Sequence, residues 1–312
     1  MVRILVVHGR GAKPPERCKL SYIRRVLLES VCRADPKVGL WLTRHPQVIQ
    51  LAYYADLSRR ISGERLESCA SYRGPIQRLY EESRTCPTWV SFRGSMKDFG
   101  ADVAGLLSRF LSLKTRRQWM SLRFPEVARY FLDPKFASCV RARLERHLLP
   151  LLRARAQILL MGHSFGSVVA YDLLWELSHR ARYKNVSDQP IHCFVTLGSP
   201  LGDETVRQHL SGWSQTPHRR FPTNIRRWCN FAARGDMVCY DAHIGNDFRL
   251  MRKLGFLERF EERVNLCNVY RSREGEWNPH KLYGYLILPE VGHLVADFLR
   301  DSAKRQDLGV SP

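Results

Sequence analysis

A chain of 312 residues with 44% hydrophobic and 11% aromatic side chains can bury a sizeable core, which excludes overall disorder. Its 50 Lys/Arg against 30 Asp/Glu leave a formal charge of +20, an excess that favours anionic surfaces as partners but carries no information on fold. No run approaches the roughly 18 apolar residues of a spanning helix, and the opening "MVRILVVHG" is too short for a signal-peptide core. The nine cysteines form no CxxC pair and no Cys/His set with zinc spacing, so they read as reduced and mostly buried. Together these features read as a cytosolic protein that meets a membrane, if at all, from the side.

In chain order, apolar β-branched runs alternate with helical patterns. Val2 to Val7 reads as a strand ending in His8-Gly9-Arg10-Gly11, and Ser21 to Cys32 has helical spacing. Val48 to Tyr54 is a strand, Ile158 to Met161 another, and Ser167 to Leu177 a helix. Ile191 to Leu197 is a strand ending in Gly198-Ser199-Pro200, and Arg226 to Ala233 one ending in Arg234-Gly235-Asp236. Val264 to Tyr270 is the last predicted strand, and Leu288 to Leu299 a closing helix. Apolar strands separated by helices predict an α/β fold in three layers, a mostly parallel sheet covered on both faces.

The interval 57–156 breaks this rhythm. It is too long for a simple crossover, and it carries 20 Lys/Arg against 9 Asp/Glu, a net of +11. Phe99 to Phe110 ("FGADVAGLLSRF") places apolar residues on one helical face, a basic aromatic tract ("SLKTRRQWMSLRF") follows, and Phe136 to Leu152 predicts a second helix. The chain thus reads as one domain over 1–312 with a basic, largely helical insertion at 57–156 in the position of a lid or cap.

Gly162-His163-Ser164-Phe165-Gly166 is a G-x-S-x-G pentapeptide between a predicted strand and a predicted helix. A serine at such a corner needs small neighbours on both sides to hold a strained backbone with its hydroxyl clear of the sheet. The plain alternative is a serine that caps the helix. A nucleophilic serine needs a base, and the base an orienting acid, in the chain order Ser, Asp/Glu, His. Asp236 and His280 each sit just past a strand end and are the favoured acid and base. Asp203 and Asp241 compete with Asp236, while His293 lies in a helical pattern, and His163 should point away from the nucleophile. Two oxyanion donors are also required. One is the backbone N–H of Phe165, at the start of the helix. The other comes from "HGRG", with Arg10 favoured over Gly9 or Gly11, and the Arg10 side chain is also placed to meet an anionic substrate.

"HGRG", "GHSFGS", "TLGSPLG", "RGDMV" and "PHKLYGYL" together resemble the alpha/beta-hydrolase superfamily, and within it the lipase- and esterase-like serine hydrolases. The resemblance covers roughly residues 1–56 and 157–300 and does not extend to the basic insertion. It implies the alpha/beta-hydrolase fold, reduced to about six core strands, with Ser164 as nucleophile, Asp236 as acid, His280 as base, and Phe165 and Arg10 as oxyanion donors. The implied reaction is cleavage of a carboxylic ester or thioester through an acyl-enzyme, without metal or organic cofactor. The expected substrate is a small acyl ester or a lipid-like ester, as for a lipase or phospholipase, with peripheral contact to an anionic membrane. The competing class is a non-catalytic binding protein on the same fold that holds an acidic partner through the insertion. No nucleic-acid motif supports DNA or RNA as that partner.

Overall fold

The structure, a computed structural model, describes residues 1–11, 13–57, 76–86, 125–271 and 275–306. The amphipathic stretch 99–110 and the basic tract after it lie outside the described residues, as does the question of a lid.

Six strands form one sheet: β1 (Val2–Val7), β2 (Ile49–Ala52), β3 (Gln157–His163), β4 (Ile191–Leu197), β5 (Ile225–Ala233) and β6 (Arg259–Leu266). Their order is β2-β1-β3-β4-β5-β6, and every neighbouring pair is parallel. The helices are α1 (Glu16–Ala34), α2 (Pro36–Arg44), α3 (Ile76–Thr85), α4 (Pro125–Leu132), α5 (Pro134–Arg153), α6 (Phe165–His179), α7 (Leu282–Leu286) and α8 (Pro289–Gln306), with short helical turns between β4 and β6.

Side-chain alternation along the strands feeds two separate cores. Ile4, Val6, Leu159 and Met161 face α1, α2, α3, α7 and α8, whereas Leu5, Val7, Ile158 and Leu160 face α4, α5 and α6. The result is the three-layer α/β architecture expected of continuous apolar strands. Local chemistry starts the helices. Asp35 caps α2 through Lys37 N (3.0 Å) and Val38 N (3.1 Å), and Asp133 caps α5 through Lys135 N (3.0 Å) and Phe136 N (3.1 Å), each followed by proline.

Two corrections to the sequence reading follow. The last strand is Arg259–Leu266, not Val264–Tyr270. It is the sheet edge, so its faces are polar and its charges are paired, Glu261 with both Arg227 and Arg259 at 2.7 Å. The apolar run "CNVY" that imitated a strand is instead buried loop. The cysteines are not all reduced: Cys86 and Cys267 form a disulfide across a sequence separation of 181, and Cys18 is disulfide-bonded as well. Cys32, Cys139, Cys193, Cys229 and Cys239 are free. The ground on which a reducing compartment was inferred is therefore gone. Among the described residues no helix is long and apolar enough to cross a membrane.

The sheet has one topological switch. The chain leaves β1 for β2 on one side and returns to β3 on the other, so the loops after β1 and β3 meet at the carboxyl edge beside the switch point, the place where α/β sheets bind ligands. "HGRG" and Ser164 lie together at that point. α4 is held beside it by a buried network in which Tyr130 Oη donates to Asp172 Oδ2 (2.8 Å), Ser211 N to Asp172 Oδ1 (2.7 Å) and Arg141 to Tyr130 Oη (3.2 Å). Burial pushes the Asp172 carboxyl above its ordinary range. Tyr130→Phe removes one donor to this acid and should cost about 1–3 kcal/mol of stability, measured by urea unfolding at neutral pH; an unchanged midpoint would show the network to be dispensable.

Candidate functional site

Ser164 sits between β3 and α6 with φ 53° and ψ −131°, a left-handed backbone that is strained for a residue with a side chain. The glycines around it are required by contact. A Cβ at Gly162 would lie 2.6 Å from Ser167 Cα, and one at Gly166 would lie 2.5 Å from the carbonyl oxygens of both Val7 and His8. The elbow is held from below: Ser164 N donates to Leu197 O (2.9 Å), and Ser167 Oγ donates to Ser164 O (2.6 Å). Ser199 in turn pairs with Ser167 Oγ (2.7 Å) and accepts from Leu201 N (3.2 Å). Ser164 does not cap its helix with its side chain.

The favoured acid and base meet. His280 Nδ1 lies 2.9 Å from both carboxylate oxygens of Asp236, whose side chain is fully buried. A carboxylate can only accept, so Nδ1 carries the proton and Nε2 is left as an acceptor. Asp236 also accepts from Val238 N (3.0 Å) and from Tyr285 Oη (2.5 Å). Tyr285 in turn accepts from Ala233 N (2.9 Å), and burial followed by the Asp236 charge pushes its phenol well above the ordinary range. Gly198 makes room for this pair: at φ 53°, a Cβ there would lie 2.6 Å from Asp236 Oδ2. No hydrogen bond joins Ser164 to His280 among the described residues, and apo hydrogen bonds of this kind are often open before substrate binds.

The "HGRG" loop closes on the serine. A Cβ at Gly9 would lie 2.8 Å from Ser164 Cβ and 3.2 Å from its Oγ. His8 fixes the loop: its ring stacks on Tyr54 (4.2 Å between centroids), Nε2 accepts from Tyr54 N (3.0 Å), and Nδ1 donates to Gly9 O (2.7 Å). Gly11 N donates to Glu126 Oε1 (2.6 Å), which takes Gly11 out as an oxyanion donor and leaves Arg10 and Gly9. Phe165 opens α6, where the first N–H groups have no intrahelical acceptor. Its ring meets Tyr130 (5.1 Å) and Phe131 (5.8 Å) edge to face.

The competing residues lie elsewhere. Asp203 caps the turn Glu204–Arg207 through Val206 N (3.0 Å) and accepts from Tyr240 Oη (2.7 Å). Asp241 packs its backbone against Gly202, and His293 is exposed on α8. His163 has a partner that sequence reading did not foresee. Its Nε2 donates to the carbonyl of His280 (2.7 Å), with the two rings 4.8 Å apart. Sequence reading also missed Tyr285, although it stands in the quoted "PHKLYGYL", because only the fold brings it to Asp236. Comparison of the chain with family models, with curated proteins and with solved structures finds no match. Among the described residues no group of three or more His, Cys, Asp or Glu is placed to hold a metal ion.

His8 and His163 are both buried and titrate well below the ordinary imidazole range, first through desolvation and then through nearby cations, Lys19 and Lys13 among them. Each stays neutral in the folded protein and protonates when unfolded at about pH 6.5. The unfolded state therefore binds more protons below that pH, and stability falls as pH drops from about 6.5 toward the folded values. His163→Gln keeps an N–H for the His280 carbonyl and cannot protonate. Urea unfolding between pH 5 and 7.5 should show a shallower acid loss for this variant, by up to about 1.4 kcal/mol per pH unit; an identical slope would mean that His163 is charged when folded.

Proposed function

We propose that this protein is a serine hydrolase that cleaves a carboxylic ester or thioester through an acyl-enzyme on Ser164, as an alpha/beta-hydrolase of the lipase and esterase kind. The observation that supports the reading is three features at one edge of the sheet: a serine on a strained elbow, an oriented His280–Asp236 pair tied to the elbow through His163, and a glycine loop pressed against the serine Oγ.

In this reading His280 Nε2 takes the Ser164 proton as Oγ attacks the acyl carbonyl carbon. Asp236 holds the Nδ1 tautomer and stabilises the imidazolium, while Tyr285 and Val238 N keep the carboxylate fixed. The N–H groups of Phe165 and Arg10 receive the oxyanion, with Gly9 as the alternative to Arg10. Collapse of the intermediate gives the imidazolium proton to the leaving alkoxide or thiolate. Water, deprotonated by the same His280, then releases the acid and restores Ser164. The excess of +20 supports a substrate with an anionic head group, or work at an anionic lipid surface.

Turnover of a p-nitrophenyl ester series tests the reading and reports acyl length. Ser164→Ala should lower kcat by on the order of 10^4-fold or more, and His280→Ala by a comparable factor. His293→Ala, exposed on α8, should leave kcat/KM unchanged. A folded His280→Ala protein with wild-type turnover would overturn the assignment. A folded wild type that hydrolyses no ester would leave the fold to a binding role.

A further inference from the structure

Asn268 follows β6 at the carboxyl edge of the sheet and is completely buried. Its Nδ2 donates to two carbonyls, Pro279 O (2.6 Å) and Lys281 O (3.1 Å), and its Oδ1 accepts from Tyr270 N (3.2 Å). Those two carbonyls lie immediately before and after His280. Its own carbonyl accepts from Trp277 Nε1 (2.7 Å), so the loop that carries the base is pinned to residue 268 at three points. The carboxamide also lies flat on α7. A Cβ at Gly284 would fall 1.7 Å from Asn268 Oδ1 and 2.5 Å from its Cγ. The next residue, Tyr285, is the one that donates to Asp236. One planar amide therefore touches the backbone on either side of the base and the helix that holds the acid.

We propose that Asn268 is a positioning residue that sets the His280 ring for proton transfer, and that the Cys86–Cys267 disulfide is the covalent anchor of its segment. The proposal deepens the reading of Ser164, His280 and Asp236 as a hydrolytic site, and rests on it. With His280 N donating to Asn278 Oδ1 (3.1 Å) and His280 O accepting from His163, Asn268 completes the hydrogen bonding of the turn. With its backbone so fixed, the side chain is set by Asp236 and by the His163 ring 4.8 Å away. The disulfide joins the residue before Asn268 to the end of α3, and Cys267, Val269 and Trp277 pack there against Leu79 and Cys86 as a small apolar cluster of their own. Leucine and aspartate each fail at 268 for a different reason. Leucine fills the volume without donors, and aspartate replaces Nδ2, the donor to both carbonyls, by an oxygen that can only accept when ionised.

The test uses the full chain with its disulfides formed. Hydrolysis of p-nitrophenyl acetate is followed from pH 5 to 9 for wild type, Asn268→Leu, Asn268→Asp, Gly284→Ala and Cys86→Ser. Melting temperatures and the His280 ring 1H–13C resonance are recorded alongside. Asn268→Leu and Gly284→Ala should lower kcat by about 10- to 100-fold with KM nearly unchanged, the loss expected of a reacting group moved by about 1 Å. In Asn268→Asp the deficit relative to wild type should narrow as pH falls, because the introduced carboxyl donates once protonated. Cys86→Ser should lower kcat several-fold and shift the His280 resonance in the same direction as Asn268→Leu. Folded Asn268 variants with wild-type kcat and a pH-independent ratio to it would overturn the positioning role, and an unchanged Cys86→Ser protein would overturn the anchor. If Asn268→Leu does not fold, Asn268→Asp and Gly284→Ala decide the matter. If wild type hydrolyses no ester, the hydrolytic reading falls. The His280 resonance then still decides the positioning: unmoved in the variants, it refutes it.

Discussion

The backbone of Ser164 carries φ 53° because the chain must turn from a buried strand into a buried helix without carrying the side chain into either. That turn costs on the order of 1–3 kcal/mol, and the surroundings hold it in place. Gly162 and Gly166 let β3, α6 and β1 approach to distances that no Cβ would permit. Ser167, Ser199 and Leu197 satisfy the polar groups beneath it. Ser164 is one of four described non-glycine residues with positive φ, with Cys86, Arg155 and Asn265, and the one that stands between a buried strand and a buried helix.

The sheet order brings the other groups to the same place. Because β1 lies between β2 and β3, the loops after β1 and β3 face each other across the switch point. The loops after β5 and β6 then supply Asp236 and His280 from the neighbouring edge. Each side chain is held by a second one: Asp236 by Tyr285, His280 by His163 and Asn268 through the backbone, and the Gly9 loop by the neutral His8. Two imidazoles serve here as fixed hydrogen-bonding wedges, with burial keeping them uncharged.

Most of the fold was legible in the chain because continuous apolar runs such as Ile191–Leu197 and Val2–Val7 are buried on both faces and bounded by turn residues. The edge strand was not, since half its surface is polar and its neighbour "CNVY" imitated it. α2 escaped because Gly39 weakens its helical pattern; that glycine is there because a Cβ would lie 2.6 Å from Cys32 Cα. The residues proposed as elbow serine, acid and base are picked from motif and order alone, and the structure brings Asp236 and His280 into contact. Their supports cannot be. Tyr285, Asn268 and the Cys86–Cys267 bridge act over separations of 49, 11 and 181 residues, and no local pattern records such contacts.

The central claim is that Ser164 is an activated nucleophile, and covalent capture tests it most directly. The folded protein would be treated with a fluorophosphonate at pH 7–8, digested, and the adduct located by peptide mass spectrometry, with Asp236→Asn alongside. The account predicts one phosphonylated residue, Ser164, in wild type and a much slower reaction in the variant, whose imidazole is left in the wrong tautomer. A folded wild type that remains unlabelled, or an adduct at another residue with Ser164 intact, would contradict it.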